Sequence, residues 1–152
     1  MSNVTGITIR PVEPADREGW SVLYRGYRTF YAEADDDAKV ATTWSFLMDP
    51  DGESNGIVAV DDAGALIGTA VWREFSRPLE ADRGIYLDDL FVSPETRGHG
   101  AGEQLIQWLA DLARERGCSV VRWITAEDNA TARRLYDRMA KSGPWVTYDL
   151  DV

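Results

Sequence analysis

The chain has 152 residues, of which 44% are hydrophobic and 11% aromatic, enough apolar mass for one well-filled core and too little length for a second domain of any size. Its 26 acidic residues outnumber 16 lysines and arginines, and the formal charge of −10 disfavours nucleic acid as a partner. One cysteine, Cys118, and one histidine, His99, rule out an internal disulfide scaffold and the usual cluster of a structural zinc site, so no metal is expected.

The opening MSNVTGITIRP lacks a basic patch followed by an apolar run. No stretch approaches the roughly 18 apolar residues of a membrane span. A soluble, cytoplasmic protein without membrane partners is the expectation. The acidity is uneven: 17 acids face 8 bases up to Val92, against 9 and 8 beyond it. Paired across a cleft, the first part suits a cationic ligand and the second tolerates an anionic one. The acids around Asp35, Asp36 and Asp37 serve equally well as solvated loop charges.

In chain order, Ile7, Ile9 and Pro11 predict a short strand closed by proline. From Pro14 to Tyr31 the residues Trp20, Leu23, Tyr24, Tyr27, Phe30 and Tyr31 recur at spacings of three and four, the stripe of an amphipathic helix weakened at Gly26. A second helix spans about Asp36 to Met48 and stops at an AspProAspGly turn. Gly56 to Val60, Leu66 to Phe75 and Gly84 to Val92 read as three strands of an antiparallel meander, the first two joined by AspAspAlaGly. A helix is expected from Gly100 to Arg116, a strand from Val120 to Thr125, a helix from Ala130 to Ala140 and a last strand from Trp145 to Leu150. Strand, helix, strand over 85–125 is a right-handed parallel crossover, so the sheet is mixed and the class is α/β, or mixed α+β. The sequence contains no repeat or linker, and residues 1–152 are expected to form a single domain.

The segment ProGluThrArgGlyHisGlyAlaGlyGlu, 94–103, follows a strand and opens a helix. Main-chain N–H groups freed at a helix N-terminus can converge there on phosphate, and Gly98, Gly100 and Gly102 leave the approach open. The dinucleotide fingerprint fails at Glu103, and the Walker A ending is absent, so neither NAD nor ATP is indicated. His99 reads as a loop side chain facing solvent.

ArgGlyHisGlyAlaGly fits the Arg/Gln-x-x-Gly-x-Gly/Ala signature of the GCN5-related N-acetyltransferases. IleTyrLeuAspAspLeuPheVal resembles the corresponding strand of the diamine (spermidine/spermine) acetyltransferases, and AsnAlaThrAlaArgArgLeuTyr, 129–136, matches the family's Asn-x-x-Ala-x-x-x-Tyr helix. The matches lie in the family's order over about 85–139. The resemblance implies the family's fold, a mixed, mostly antiparallel sheet with two splayed parallel strands and about four helices. It also implies transfer of acetyl from acetyl-CoA to a primary amine in a ternary complex.

Carried over by position, the pyrophosphate of acetyl-CoA would rest on the main chain of Arg97, Gly98, His99, Gly100, Ala101 and Gly102, with Arg97 adding charge. Pantetheine would run along the main chain of Leu90, Phe91 and Val92. Asn129 is either a cofactor contact or the N-cap of its helix. Tyr136 matches the tyrosine that protonates the departing thiolate, and it is also a candidate for the buried stripe of that helix. Asp88 stands where the diamine enzymes carry glutamate and is expected to act as base or ammonium anchor, through water because aspartate is one methylene shorter. Asp89 is either a structural carboxylate or an acceptor contact, and the alternation of a strand puts it on the face opposite Asp88.

In the resembled family the segment of the first helix roofs the acceptor pocket, which implies acceptor contacts from Tyr31 and Glu33, while Trp20, Leu23 and Tyr27 are expected as core. A cationic acceptor, polyamine or lysine-like, is the leading expectation. Another small amine, such as an aminoglycoside or amino acid, and a non-catalytic acyl-CoA-binding module are the alternatives. The segment after the last helix offers one strand where many relatives have two, which implies a sheet edge completed by a second copy in a homodimer.

Overall fold

The computed structural model describes residues 6–152, and the first five residues of the opening segment lie outside it. The elements are β1 (Ile7–Pro11), α1 (Arg17–Phe30), α2 (Asp37–Met48), β2 (Asn55–Asp61), β3 (Leu66–Arg77), β4 (Asp82–Val92), α3 (Ala101–Glu115), β5 (Val121–Arg122) and α4 (Ala130–Met139). Short 3-10 turns at Pro14–Asp16 and Pro94–Thr96 lead towards α1 and α3. The five strands form one sheet in the order β1-β2-β3-β4-β5, antiparallel through β4 and parallel at β5. The expected mixed class and its four helices are therefore present. No helix among the described residues is long and apolar enough to cross a membrane.

Alternation along the strands feeds two cores. Ile57, Ala59, Ala70, Trp72, Ile85 and Leu87 pack beneath Leu105, Ile106 and Leu109 of α3. Val58 and Val71, one residue out of phase, meet Trp20 of α1 and Val40, Trp44 and Leu47 of α2. Period two in the strands and 3.6 in the helices thus sandwich the sheet between α3 and the α1–α2 pair. Asp36 caps α2 by accepting from the Lys39 N–H at 3.1 Å. Arg25 pairs with both Asp35 and Asp37, so this acid run is tied to α1.

Two expectations about the C-terminal half need correction. The strand expected over Val120–Thr125 is paired only at Val121 and Arg122, opposite Ile85 and Tyr86, because β5 then diverges from β4. The strand expected over Trp145–Leu150 does not form: Trp145, Val146, Tyr148 and Leu150 are exposed and the segment has no ladder partner among the described residues. Its alternation is that of a strand, but a strand needs an edge to pair with.

Gly26 sits where α1 crosses β4. A Cβ built there would lie 2.8 Å from Cζ of Phe91, whose ring is buried and stacked against Tyr27. Gly26→Ala should therefore destabilise the protein. Helix propensity favours alanine by about 1 kcal/mol, but overpacking a buried ring costs about 1–3 kcal/mol. A thermal melt is expected to give a Tm a few degrees below wild type, where propensity alone predicts an increase.

Candidate active site

β4 carries one extra residue against β3: Val71 faces Asp89 and Trp72 faces Leu87, leaving Asp88 as the bulge. The insertion resets the alternation. Ile85, Leu87, Leu90 and Val92 all belong to the α3 side, while Asp89 turns towards α1. The strict alternation expected for Asp88 and Asp89 is therefore broken, and both carboxylates meet groups on the α1 side of the sheet. Asp88 accepts from Arg73 Nε at 3.2 and 3.4 Å, and Asp89 accepts from the Tyr24 hydroxyl at 3.0 Å.

Beyond Ile85 and Tyr86, β4 and β5 separate, as the family resemblance implies. The wedge between them is lined by Leu87, Asp88, Leu90, Trp123, Thr125 and Tyr136, with Tyr27 and Tyr31 of the α1 end overhead. Tyr136 comes from α4, its ring edge-on to Trp123 with centroids 5.3 Å apart. Its hydroxyl donates to no described protein group, and burial raises its pKa above the ordinary phenol value. Tyr31 closes the wedge and packs on Tyr27 at 5.0 Å. Glu33 lies exposed in the turn after α1, its main-chain N–H bonded to the Arg28 carbonyl, and does not line the wedge.

Burial pushes the Asp88 carboxyl above its ordinary pKa, helped by the charges of Asp89 and Glu53 and opposed by Arg73. Asp89 is also raised, chiefly by burial, while hydrogen bonds from Tyr27 and Tyr24 pull it back. Two carboxylates with raised proton affinity beside a tyrosine form a set able to hold an ammonium group and move its proton.

At the other end of the wedge the first hydrogen bond of α3 runs from the Gln104 N–H to the Gly100 carbonyl, 3.0 Å. The N–H groups of Gly98, His99, Gly100, Ala101, Gly102 and Glu103 have no acceptor among the described residues. Gly98 and Gly100 take φ of +88° and +86°, and nothing lies within 4 Å of a Cβ built on Gly98. That open run of donors fits a pyrophosphate. Ala101 is buried at the helix start, His99 is exposed, and Gly102 approaches Leu135 of α4. Arg97 donates Nε–H to the Val92 carbonyl at 3.3 Å and lies 5.7 Å from the Phe91 ring. The main chain of Leu90, Phe91 and Val92 thus connects the glycine loop to the wedge. Asn129 acts as the N-cap of α4, accepting from the Ala132 N–H at 3.4 Å while its amide donates to Thr125 Oγ1 at 3.2 Å.

Arg73, Tyr24 and Trp123 were not singled out for the site by their residue types or spacing. Arg73 shares the face of Val71, two residues earlier in the strand, but its approach to Asp88 depends on the bulge in β4.

Residues 20–140 match the family model for the Acetyltransferase (GNAT) family. The chain is 29% identical over 143 residues to a D-amino-acid N-acetyltransferase of Saccharomyces cerevisiae, covering 93% of this chain and 89% of that one. It is 40% identical over 62 residues to a thialysine N-epsilon-acetyltransferase of Bos taurus, 41% of this chain and 36% of the other. Its fold superposes with a TM-score of 0.79 on the aminoglycoside N-acetyltransferase AAC(6')-Iy in complex with a CoA-containing bisubstrate analogue, at 20% identity and covering 97% and 99% of the two chains.

Removing the Tyr24 hydroxyl takes away a donor that favours the ionised form of Asp89. In Tyr24→Phe the Asp89 titration, followed by carboxyl carbon NMR, is expected to move further up in pH. Stability contributed by protonated Asp89 is complete below the unfolded aspartate pKa of about 4 and is lost as pH rises through the raised folded value. The variant therefore carries that stability to higher pH than wild type does.

Proposed function

The chain belongs to the acetyltransferase (GNAT) family and is an N-acetyltransferase, and on that premise we propose that it acetylates the primary amine of a small cationic acceptor, lysine-like or polyamine, by direct transfer from acetyl-CoA in a ternary complex. One observation carries the mechanism: the half-buried Tyr136 hydroxyl, with no hydrogen-bond partner among the described residues, shares a wedge with Asp88 at the point where β4 and β5 separate. In this reading the N–H groups from Gly98 to Gly102 hold the pyrophosphate, Arg97 adds charge, and the main chain of Leu90 to Val92 guides the pantetheine arm. Asn129 supports the site by fixing the start of α4 and so the direction of Tyr136.

An alkylammonium near pKa 10 is almost wholly protonated at neutral pH, so a proton must leave before the nitrogen can attack. Asp88 accepts that proton by way of a water, its raised affinity bringing it closer to the working pH. Asp89, held by Tyr24, supplies a second negative charge to the ammonium. Bound acetyl-CoA supplies the thioester, at whose carbonyl carbon the C–N bond forms while the C–S bond breaks and its electron pair leaves on sulfur. Tyr136 gives its hydroxyl proton to that sulfur and takes back the proton that the newly acylated nitrogen sheds, and the raised pKa keeps the phenol protonated until the transfer. Tyr31 roofs the acceptor side. The name of the Bos taurus relative, a thialysine acetyltransferase, supports a lysine-like acceptor, and that of the Saccharomyces relative supports an amino acid. The same reading takes residues 1–152 as one domain working in the cytoplasm.

The homodimer belongs to this proposal as well. Val146, Tyr148, Leu150 and Val152 alternate with Trp145, Thr147, Asp149 and Asp151, and that apolar face is left exposed by the described residues. Among the described residues the outer edge of β5 is unpaired, and beside it Ile106, Ala113, Cys118, Val121, Trp123 and Met139 line a groove of about 340 Å³. Strand and edge occur in the same chain, so a second copy satisfies both by a reciprocal exchange.

The test of the activity is release of CoA thiol from acetyl-CoA across spermidine, spermine, lysine, a basic peptide and an aminoglycoside. Turnover on a lysine-like or polyamine substrate is expected, reduced about 10²-fold or more in Tyr136→Phe with an unchanged Tm, because that hydroxyl holds nothing together. Full activity in the variant removes Tyr136 from the mechanism. For the assembly, light scattering should give a dimer for the whole chain and a folded monomer for residues 1–144. A monomeric whole chain, or a dimer that survives truncation, sinks the exchange.

A further inference from the structure

Resting on the amine-acetylation reading, we propose that Arg73 makes the acceptor site select α-amino acids, in which a carboxylate sits beside the reactive amine, over amines that lack one. β3 places Arg73 opposite Tyr86, and the bulge brings Asp88 to it. The guanidinium carbon lies 4.7 Å from the centroid of the Tyr86 ring, which holds the group's plane. Both of its hydrogen bonds leave from Nε, to the two oxygens of Asp88, and its two terminal NH2 groups have no acceptor among the described residues. A guanidinium in this state retains a free pair of donors, the arrangement that suits a carboxylate.

The charges facing Asp88 are Arg73 on one side and Asp89 and Glu53 on the other. An ammonium that takes Asp88 competes with the Arg73 Nε–H for its oxygens. A plain amine or polyamine leaves that guanidinium, one third exposed, unpaired beside a new cation. An α-amino acid brings its own compensation: the ammonium goes to Asp88 and the carboxylate to the open terminal donors of Arg73. One ion pair becomes two, and no partly buried charge is left alone. The selection thus acts through the unfavourable contact with the wrong acceptor as well as the favourable one with the right acceptor.

Lysine and cadaverine differ only in the carboxylate, which makes them the discriminating pair. Wild type should show kcat/KM for lysine about ten- to hundredfold above that for cadaverine, the range of one charge-assisted contact, with Nα-acetyl-lysine as product by NMR. In Arg73→Ala the ratio should fall to about one, with the change in KM for lysine. Arg73→Gln, which keeps the bulk and a donor, covers the case in which the alanine variant does not fold. Calorimetric binding of lysine to the CoA-loaded protein should weaken by the same factor in both variants. An unchanged lysine-to-cadaverine ratio in the variants, a wild type that prefers cadaverine, or acetylation at Nε alone overturns the role of Arg73 while leaving the acetyltransferase reading intact. No CoA release with any amine overturns that reading, and the calorimetric comparison still decides whether Arg73 recognises the carboxylate.

Discussion

The bulge at Asp88 is the constraint on which the rest of the site depends. β4 must present apolar residues to α3 at both ends, Ile85 and Leu87 before the bulge and Leu90 and Val92 after it. Strict alternation cannot do this, because the two pairs are out of phase. One inserted residue restores the phase, at the cost of a side chain that belongs to neither core. That side chain is Asp88. The same insertion turns Asp89 towards Tyr24, so a packing requirement of the α3 face delivers two carboxylates to the α1 face.

The separation of β4 from β5 completes the arrangement. The parallel ladder ends at Tyr86 and Arg122, leaving the main chain of Leu87 to Val92 unpaired on that side. Exposed strand edges invite pairing, and here Trp123, Thr125 and Tyr136 keep the edge open as a wedge. α1 reaches over it only because Gly26 lets the helix backbone approach Phe91. Phe91 in turn lies beside Arg97, so the ring that seats α1 also borders the glycine loop. Acceptor side and donor side are two ends of one packed unit.

Much of this was legible in the residues. The stripes at Leu105, Ile106 and Leu109 and at Trp20 and Leu23 fixed the faces of α3 and α1, because periodicity of 3.6 is a local property. The glycine loop was recognisable because open main-chain donors need glycine and a helix start, both local. The capping role open to Asn129 was legible because its side chain reaches the Ala132 N–H only three residues on. The alternation of Trp145 to Val152 was equally visible, yet it does not make a strand in this chain alone, since pairing is a property of two segments.

What the sequence by itself determined is therefore the set of elements, the buried faces and the chemical inventory: a donor loop at 97–102, a tyrosine at 136 and a pair of carboxylates at 88 and 89. The tertiary structure decided how they meet. The phase shift in β4 arises from its register against β3, the wedge from the divergence of β5, and the pairing of Arg73 with Asp88 from a contact fifteen residues apart across a hairpin. Each of these depends on which strands lie side by side and where their ladders stop, and that is settled by packing between segments rather than by any local pattern.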